Sequence, residues 1–282
     1  MIANIIGWLM IFESLFMTVP AITAVIYWES TIWVFLGTSL FCLAAGLLIT
    51  RRKPKSTSLY SREGFVIVAL SWLVLSFFGA LPFMLSGAIP SFTDALFEAV
   101  SGFSTTGATT LGDVESLPRS ILMWRSFTHW VGGMGVLVFI MAFIPLSGGQ
   151  NMHIMKAESP GPSVGKLVPR VKTTAKLLYT IYLVLTFAMF IALIIGGMDV
   201  FEALNTAFAT AGTGGMGVKN NSMGGYPANL QIIITVFMML FAINFNSFFF
   251  MIHLRLREAF TTEVVTFLVI AASSSILIAF NI

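Results

Sequence analysis

Seven apolar runs, each long enough to cross a bilayer, partition this sequence: 5–27, 32–50, 64–85, 121–146, 175–195, 230–252 and 264–282. A hydrocarbon core takes roughly 20 helical residues per crossing, so the expected fold class is an all-α polytopic membrane protein. The composition agrees, with 57% hydrophobic residues and only 10% charged, against about a quarter charged in soluble domains. The single cysteine, Cys42, lies inside an apolar run and is assigned to membrane packing, since it has no partner for a disulfide or a metal cluster. The first run lacks a basic start and carries Glu13, which argues for a retained span over a cleaved signal.

Charge placement sets the expected topology. All but three of the 15 Lys and Arg residues fall in the loops after the second, fourth and sixth runs; the exceptions are Arg119, Arg125 and Lys219. The positive-inside rule then puts the N-terminus and those loops in the cytoplasm. The other face carries Glu29, Asp94, Glu98, Asp113, Glu115, Asp199 and Glu202, an acidic mouth that would attract cations. No basic, aromatic-interleaved patch exists for nucleic acid. The polar stretch 150–172, with Pro160, Pro162 and Pro169, reads as an irregular cytoplasmic linker.

That linker separates two similar halves. Asp94-Ala-Leu-Phe-Glu-Ala-Val-Ser-Gly-Phe103 compares with Asp199-Val-Phe-Glu-Ala-Leu-Asn-Thr-Ala-Phe208, and Phe97-Glu98-Ala99 recurs at Phe201-Glu202-Ala203. The halves form a repeat of about a hundred residues in one orientation. Each short stretch is too short to span, so it is expected to be re-entrant or interfacial, beginning at an Asp N-cap. Each then runs into a Gly/Thr-rich segment, 104–110 and 210–215. Backbone outside helical geometry at membrane depth must be buried in protein or line a wet path. A short helix followed by a returning strand turns carbonyl oxygens toward a common axis, where they replace a cation's water shell. Glycine permits the positive φ this needs. Neutral oxygens suit a weakly hydrated monovalent ion better than Ca²⁺ or Mg²⁺, which points to potassium as the transported ion, with no resident cofactor.

At these residues the sequence resembles the Trk/Ktr/HKT superfamily of potassium transporters, and within it the bacterial TrkH type. The stretches 97–110, Trp124-Arg-Ser-Phe-Thr-His-Trp-Val-Gly-Gly-Met-Gly135, Glu158-Ser-Pro-Gly-Pro162 with the Lys166–Lys176 link, and 205–216 carry the resemblance. It implies a division into a two-helix unit (1–55), a first helix–pore loop–helix repeat (56–150), a link with a second repeat (151–258) and the opening helix of a third (259–282). It also implies that four such repeats surround one ion path. The implied filter oxygens, and so the K⁺ ligands, are those of Thr105, Thr106 and Gly107 in the first quadrant. In the second, Gly107 aligns with Gly212 or with Gly214; Gly214 is favoured, with Gly212 and Thr213 supplying oxygens. The resemblance further implies the bacterial inner membrane, a homodimer and a cytosolic nucleotide-binding regulatory ring. Because two repeats cannot enclose an ion with four-fold coordination, either the sequence is truncated, another chain supplies the missing pore repeats, or two copies pair.

Potassium uptake is therefore the leading expectation. A non-conducting half-subunit needing a complementary chain is the alternative, and a neutral-solute or water channel a third reading. An enzyme is not expected: Glu13 stands alone within the spans, and His129, His153 and His253 have no nearby ligand or nucleophile partners. His129 and His253 read as interfacial, and Glu13 as a helix contact. Gly132, Gly133 and Gly135 read as close-packing positions. Glu98 and Glu202 are ascribed equally to structural and electrostatic roles.

Overall fold

A computed structural model describes residues 1–51, 61–133, 135, 171–252 and 254–281. Most of the expected linker, most of the basic cluster at 51–55, His153, His253 and the fourth run beyond residue 133 apart from Gly135 lie outside the described residues. The helices are α1 (Ile2–Phe16), α2 (Thr18–Ile26), α3 (Ile32–Thr50), α4 (Ser61–Leu85), α5 (Phe92–Phe103) and α6 (Arg119–Gly133). They continue with α7 (Val171–Ile195), α8 (Val200–Ala211), α9 (Ala228–Ala242), α10 (Phe245–Ile252), α11 (Leu256–Ala259) and α12 (Thr262–Asn281). Among the described residues five stretches are long and apolar enough to cross a membrane: Ile2–Ile26, Ile32–Thr50, Glu63–Leu85, Lys176–Ile195 and Thr262–Phe280.

The first crossing comprises α1 and α2, separated at Met17. Pro20 has no N–H to offer the Phe16 carbonyl, while the Met17 N–H still reaches Glu13 O at 3.0 Å. α1 packs most closely on α3 where Gly7 and Gly46 cross; a Cβ on either would press on the other's carbonyl oxygen. Glu13 is fully buried, and neither carboxylate oxygen has a hydrogen-bond partner among the described residues. Its carboxylate sits against Gly79 of α4, which agrees with a helix contact. Cys42 is buried in the same layer.

The sixth run, expected as one crossing at 230–252, is divided in the structure into two helices. α9 and α10 meet at a 92° bend. Ile243 leaves helical geometry (φ −72°, ψ 140°), and the Asn244 side chain accepts from the Asn246 N–H at 3.0 Å while its carbonyl accepts from Ser247 N–H at 2.8 Å. An N-cap placed inside an apolar run restarts the helix in a new direction.

α6 is the central post of the described fold. Trp124 is completely buried; its indole N–H donates to Gly79 O at 2.9 Å, and its ring meets Phe35 and Phe103 edge-on at 6.4 and 6.1 Å. The amino end of α6 is capped from a distance by Glu29, whose carboxylate accepts from the N–H groups of Arg119 (2.6 Å) and Ser120 (3.0 Å). This carboxylate at the positive end of the helix is favourably placed.

Candidate functional site: two short helices and their return segments

α5 and α8 have 12 residues each, about 18 Å at 1.5 Å per residue, too short to cross. Their starts match in structure: Ser91 caps α5, accepting from the Asp94 N–H at 3.4 Å, and Asp199 caps α8, accepting from the Phe201 N–H at 3.0 Å. Asp94 is thus not the expected N-cap but a first-turn residue, in the position Glu202 takes in α8.

The ends match as closely. Thr105 N–H bonds Gly102 O (3.0 Å) and Thr106 N–H bonds Ser101 O (3.0 Å); Thr213 N–H bonds Thr210 O (2.8 Å) and Gly214 N–H bonds Ala209 O (3.1 Å). This paired closure is the Schellman motif. Thr105 and Thr213 both have φ +56°, and Gly107 and Gly215 follow with φ +76° and +78°. A β-branched residue in this region is rare and costs roughly 1–3 kcal/mol, so two copies of the same departure make a shared backbone design.

The structural repeat spacing is therefore 213 minus 105, or 108 residues. The Phe-Glu-Ala recurrence has a spacing of 201 minus 97, or 104. The sequence likeness is one helical turn out of phase with the fold. Gly107 corresponds to Gly215, neither to Gly212 nor to the favoured Gly214. Gly212 is the right-handed C-cap of α8 (φ −77°), matching Ser104.

The two return segments touch: a Cβ on Gly107 would overlap the Gly214 carbonyl oxygen. α6 passes behind both. Gly132 lies where a Cβ would strike Phe103 O, and Gly133 where one would come 2.8 Å from Gly212 Cα, so the close-packing expectation holds for these two. His129, expected at an interface, is fully buried, its ring against Gly214, and its nitrogens have no hydrogen-bond partner among the described residues.

Glu98 is buried and accepts from Arg125 Nε at 3.1 Å, from the Thr110 N–H at 2.9 Å and from the Thr109 hydroxyl. Arg125 also donates to Thr109 Oγ1 at 3.3 Å, and Ser101 Oγ donates to Ala108 O at 2.6 Å. The first return segment is thereby tied to α5 and α6, which gives Glu98 a structural role. Sequence reading missed the inward placement of Arg125; its position one turn before His129 on a helix start was the available signal.

A cavity of about 190 Å³ lies between the segments, with Gly107 and Gly215 both on its wall. Its two cations are matched: Arg125 by Glu98, and Lys219 by Glu202 at 3.3 Å. The acidic residues are engaged locally as well. Asn220 joins the two loops beyond the segments, accepting from Val114 N–H (2.8 Å), donating its side chain to Asp113 Oδ1 (2.9 Å) and its N–H to Glu115 Oε1 (2.9 Å).

The Asn220 hydrogen bond holds the Asp113 carboxyl below its ordinary value. A depressed folded-state value stabilises the clip above the unfolded value near 3.8, and this is lost as pH falls through the lower folded value. Amide exchange at residues 113–116 is expected to accelerate only below about pH 4. In Asn220→Ala it should already be fast at pH 6; unchanged protection in that variant would refute the clip.

The fold is shared with known proteins. Residues 32–279 match the TrkH family, described as "Cation transport protein". The chain is 41% identical over 253 residues to the Trk system potassium uptake protein TrkH of Escherichia coli K12, covering 88% of this chain and 52% of that protein. It is 34% identical to the Trk system potassium uptake protein TrkG of the same organism, covering 89% and 53% respectively. The crystal structure of the potassium transporter TrkH from Vibrio parahaemolyticus superposes with a TM-score of 0.75 at 35% identity, over 88% of this chain and 50% of that one. The chain spans about half the length of the curated relatives it matches. With the family match spanning most of the sequence and the solved fold superposing on it, this all-α polytopic membrane protein belongs to the TrkH cation transport family.

Proposed function

We propose that this chain contributes two quadrants of a potassium uptake path, with backbone carbonyls of the return segments as the ion's ligands. The observation that carries the reading is the juxtaposition of two segments with the same φ sequence around one cavity. Thr105, Thr106 and Gly107 supply oxygens on one side. On the other we assign Thr213, Gly214 and Gly215 in place of Gly212, a choice supported by the matching φ values at Thr105 and Thr213 and at Gly107 and Gly215. Oxygens held by helix ends and Schellman closures are already oriented, so they replace water without rearrangement. Neutral ligands and internally paired cations leave the site to an ion of low charge density.

In this reading residues 1–55 buttress the repeats 56–150 and 151–258, and residues 259–282 open a third. The N-terminus is cytoplasmic, the membrane is the bacterial inner membrane, and the working unit is a dimer gated by a cytosolic nucleotide-binding ring. The relatives' names as Trk system potassium uptake proteins support the substrate. The two remaining quadrants come from a longer form of the chain or from a complementary one.

Growth of a host lacking potassium transport, at limiting potassium, tests the proposal. The protein in its natural full-length context should rescue growth, and Gly107→Ser should abolish rescue without loss of membrane protein. Equal growth of both strains would remove Gly107 from the path; solute flux indifferent to potassium would favour a neutral-solute channel.

A further inference from the structure

We propose that Lys219 is a tethered counter-ion at the outer mouth of the path, its ammonium taking the place beside Glu202 that a divalent cation would otherwise occupy, so that Ca²⁺ does not block the entry of monovalent ions. This role rests on the potassium path proposed above. The cavity with Gly107 and Gly215 on its wall carries two charged residues there among the described ones, both cationic, Arg125 and Lys219. They are not equivalent. The Arg125 side chain is 3% exposed and its charge is turned inward onto Glu98, whereas the Lys219 side chain is 33% exposed and ends 3.3 Å from Glu202 Oε1. Lys219 is thus the wall cation that an entering ion meets while still in water.

The ammonium is held in place from below and from behind. Its Nζ lies 4.1 Å from the centre of the Tyr226 ring, a cation–π seat. The backbone is fixed as well: Lys219 O accepts from the Ser222 N–H at 2.9 Å, and the next residue, Asn220, donates its N–H to Glu115 and its side chain to Asp113. Burial, and after it the Glu202 and Glu115 carboxylates, push the Tyr226 phenol above its ordinary range, so both carboxylates act on the ring that carries the ammonium.

The carboxylates of Asp113, Glu115 and Glu202 therefore gather near one ammonium. Asn220 engages the first two as a neutral donor and leaves their charge in place, which still draws cations toward the mouth. Glu202 is the one matched by a cation among the described residues. Without the ammonium it would present an unmatched carboxylate oxygen, the ligand that hard divalent ions prefer. The lost repulsion also counts twice for an ion of charge +2, because the Coulomb energy scales with the charge. Stability does not account for the pair, since an ion pair this exposed contributes little to folding.

Rubidium uptake by the full-length protein in vesicles of neutral lipid, measured against increasing external Ca²⁺, tests this. Lys219→Met should be half-inhibited at a Ca²⁺ concentration at least fivefold lower than the parent. Lys219→Arg, which keeps the charge, should match the parent, and adding Glu202→Gln to Lys219→Met should return the value to within twofold of it. Unchanged inhibition in Lys219→Met, or a double variant as sensitive as the single one, would overturn the proposal. If Lys219→Met does not enter the vesicles folded, Glu202→Gln alone decides. With the ammonium unmatched at the mouth, the rubidium KM should rise at least threefold at an unchanged maximal rate; an unchanged KM would refute the role. Parent vesicles without potassium-competed rubidium uptake would instead defeat the path itself, and this role with it.

Discussion

Arg125→Met is expected to destabilise the protein by about 3–5 kcal/mol, the range for stranding one member of a buried ion pair. Glu98 and Arg125 are both essentially inaccessible, so removing the guanidinium strands a buried carboxylate. The double variant Glu98→Gln with Arg125→Met should recover a substantial part of the loss, because the amide leaves no uncompensated charge. Thermal unfolding of the purified protein in detergent, compared across the two single variants and the double, measures the coupling. Losses that simply add would show that the pair is not an energetic unit. Since Thr109 and Thr110 hang on the same carboxylate, the stability loss should be accompanied by weakened discrimination of potassium from sodium.

Gly214→Ala should reduce rubidium uptake by the full-length protein at least tenfold. The added methyl would meet His129 ring atoms at 2.5–2.7 Å, and overpacking of this kind costs about 1–3 kcal/mol. His129 cannot retreat readily, since its main-chain carbonyl is packed directly against Gly212 and Trp130 beside it bonds Thr186 at 3.2 Å. Pairing Gly214→Ala with His129→Ala should restore uptake to within a few-fold of the single His129→Ala variant, because the obstacle has gone. Gly112→Ala, on the cavity wall beside Gly107 where an added Cβ meets nothing within 4 Å, is the control expected to transport normally. Failure of the double variant to recover would place the defect elsewhere than the ring.

Much of this architecture was legible from residue order. Apolar runs located most of the crossings, and a short acidic-led stretch entering Gly and Thr located both short helices and their return segments. Three features escaped for identifiable reasons. The Phe-Glu-Ala match misled because residues four apart lie on nearly the same helix face, so a displacement of one turn preserves the pattern while shifting every backbone contact. The bend between α9 and α10 depends on one side-chain cap at Asn244, too local to interrupt a run of apolar residues. Arg125 and His129 look interfacial because their types favour water; only the fold, which wraps α5 and α8 around α6, supplies the buried partner for one and the glycine for the other.

The one-turn displacement between motif and backbone also governs how the two halves can be exchanged. A cassette swapped between them with junctions drawn at the Phe-Glu-Ala signatures would lengthen one hybrid helix and shorten the other by four residues, about 6 Å, and carry the threonine bend off its seat. Junctions at Ser91 and Asp199 with Gly107 and Gly215 exchange equal lengths, 17 residues each by 107 − 91 + 1 and 215 − 199 + 1. Such a chimaera would be the direct way to ask whether the two quadrants are interchangeable.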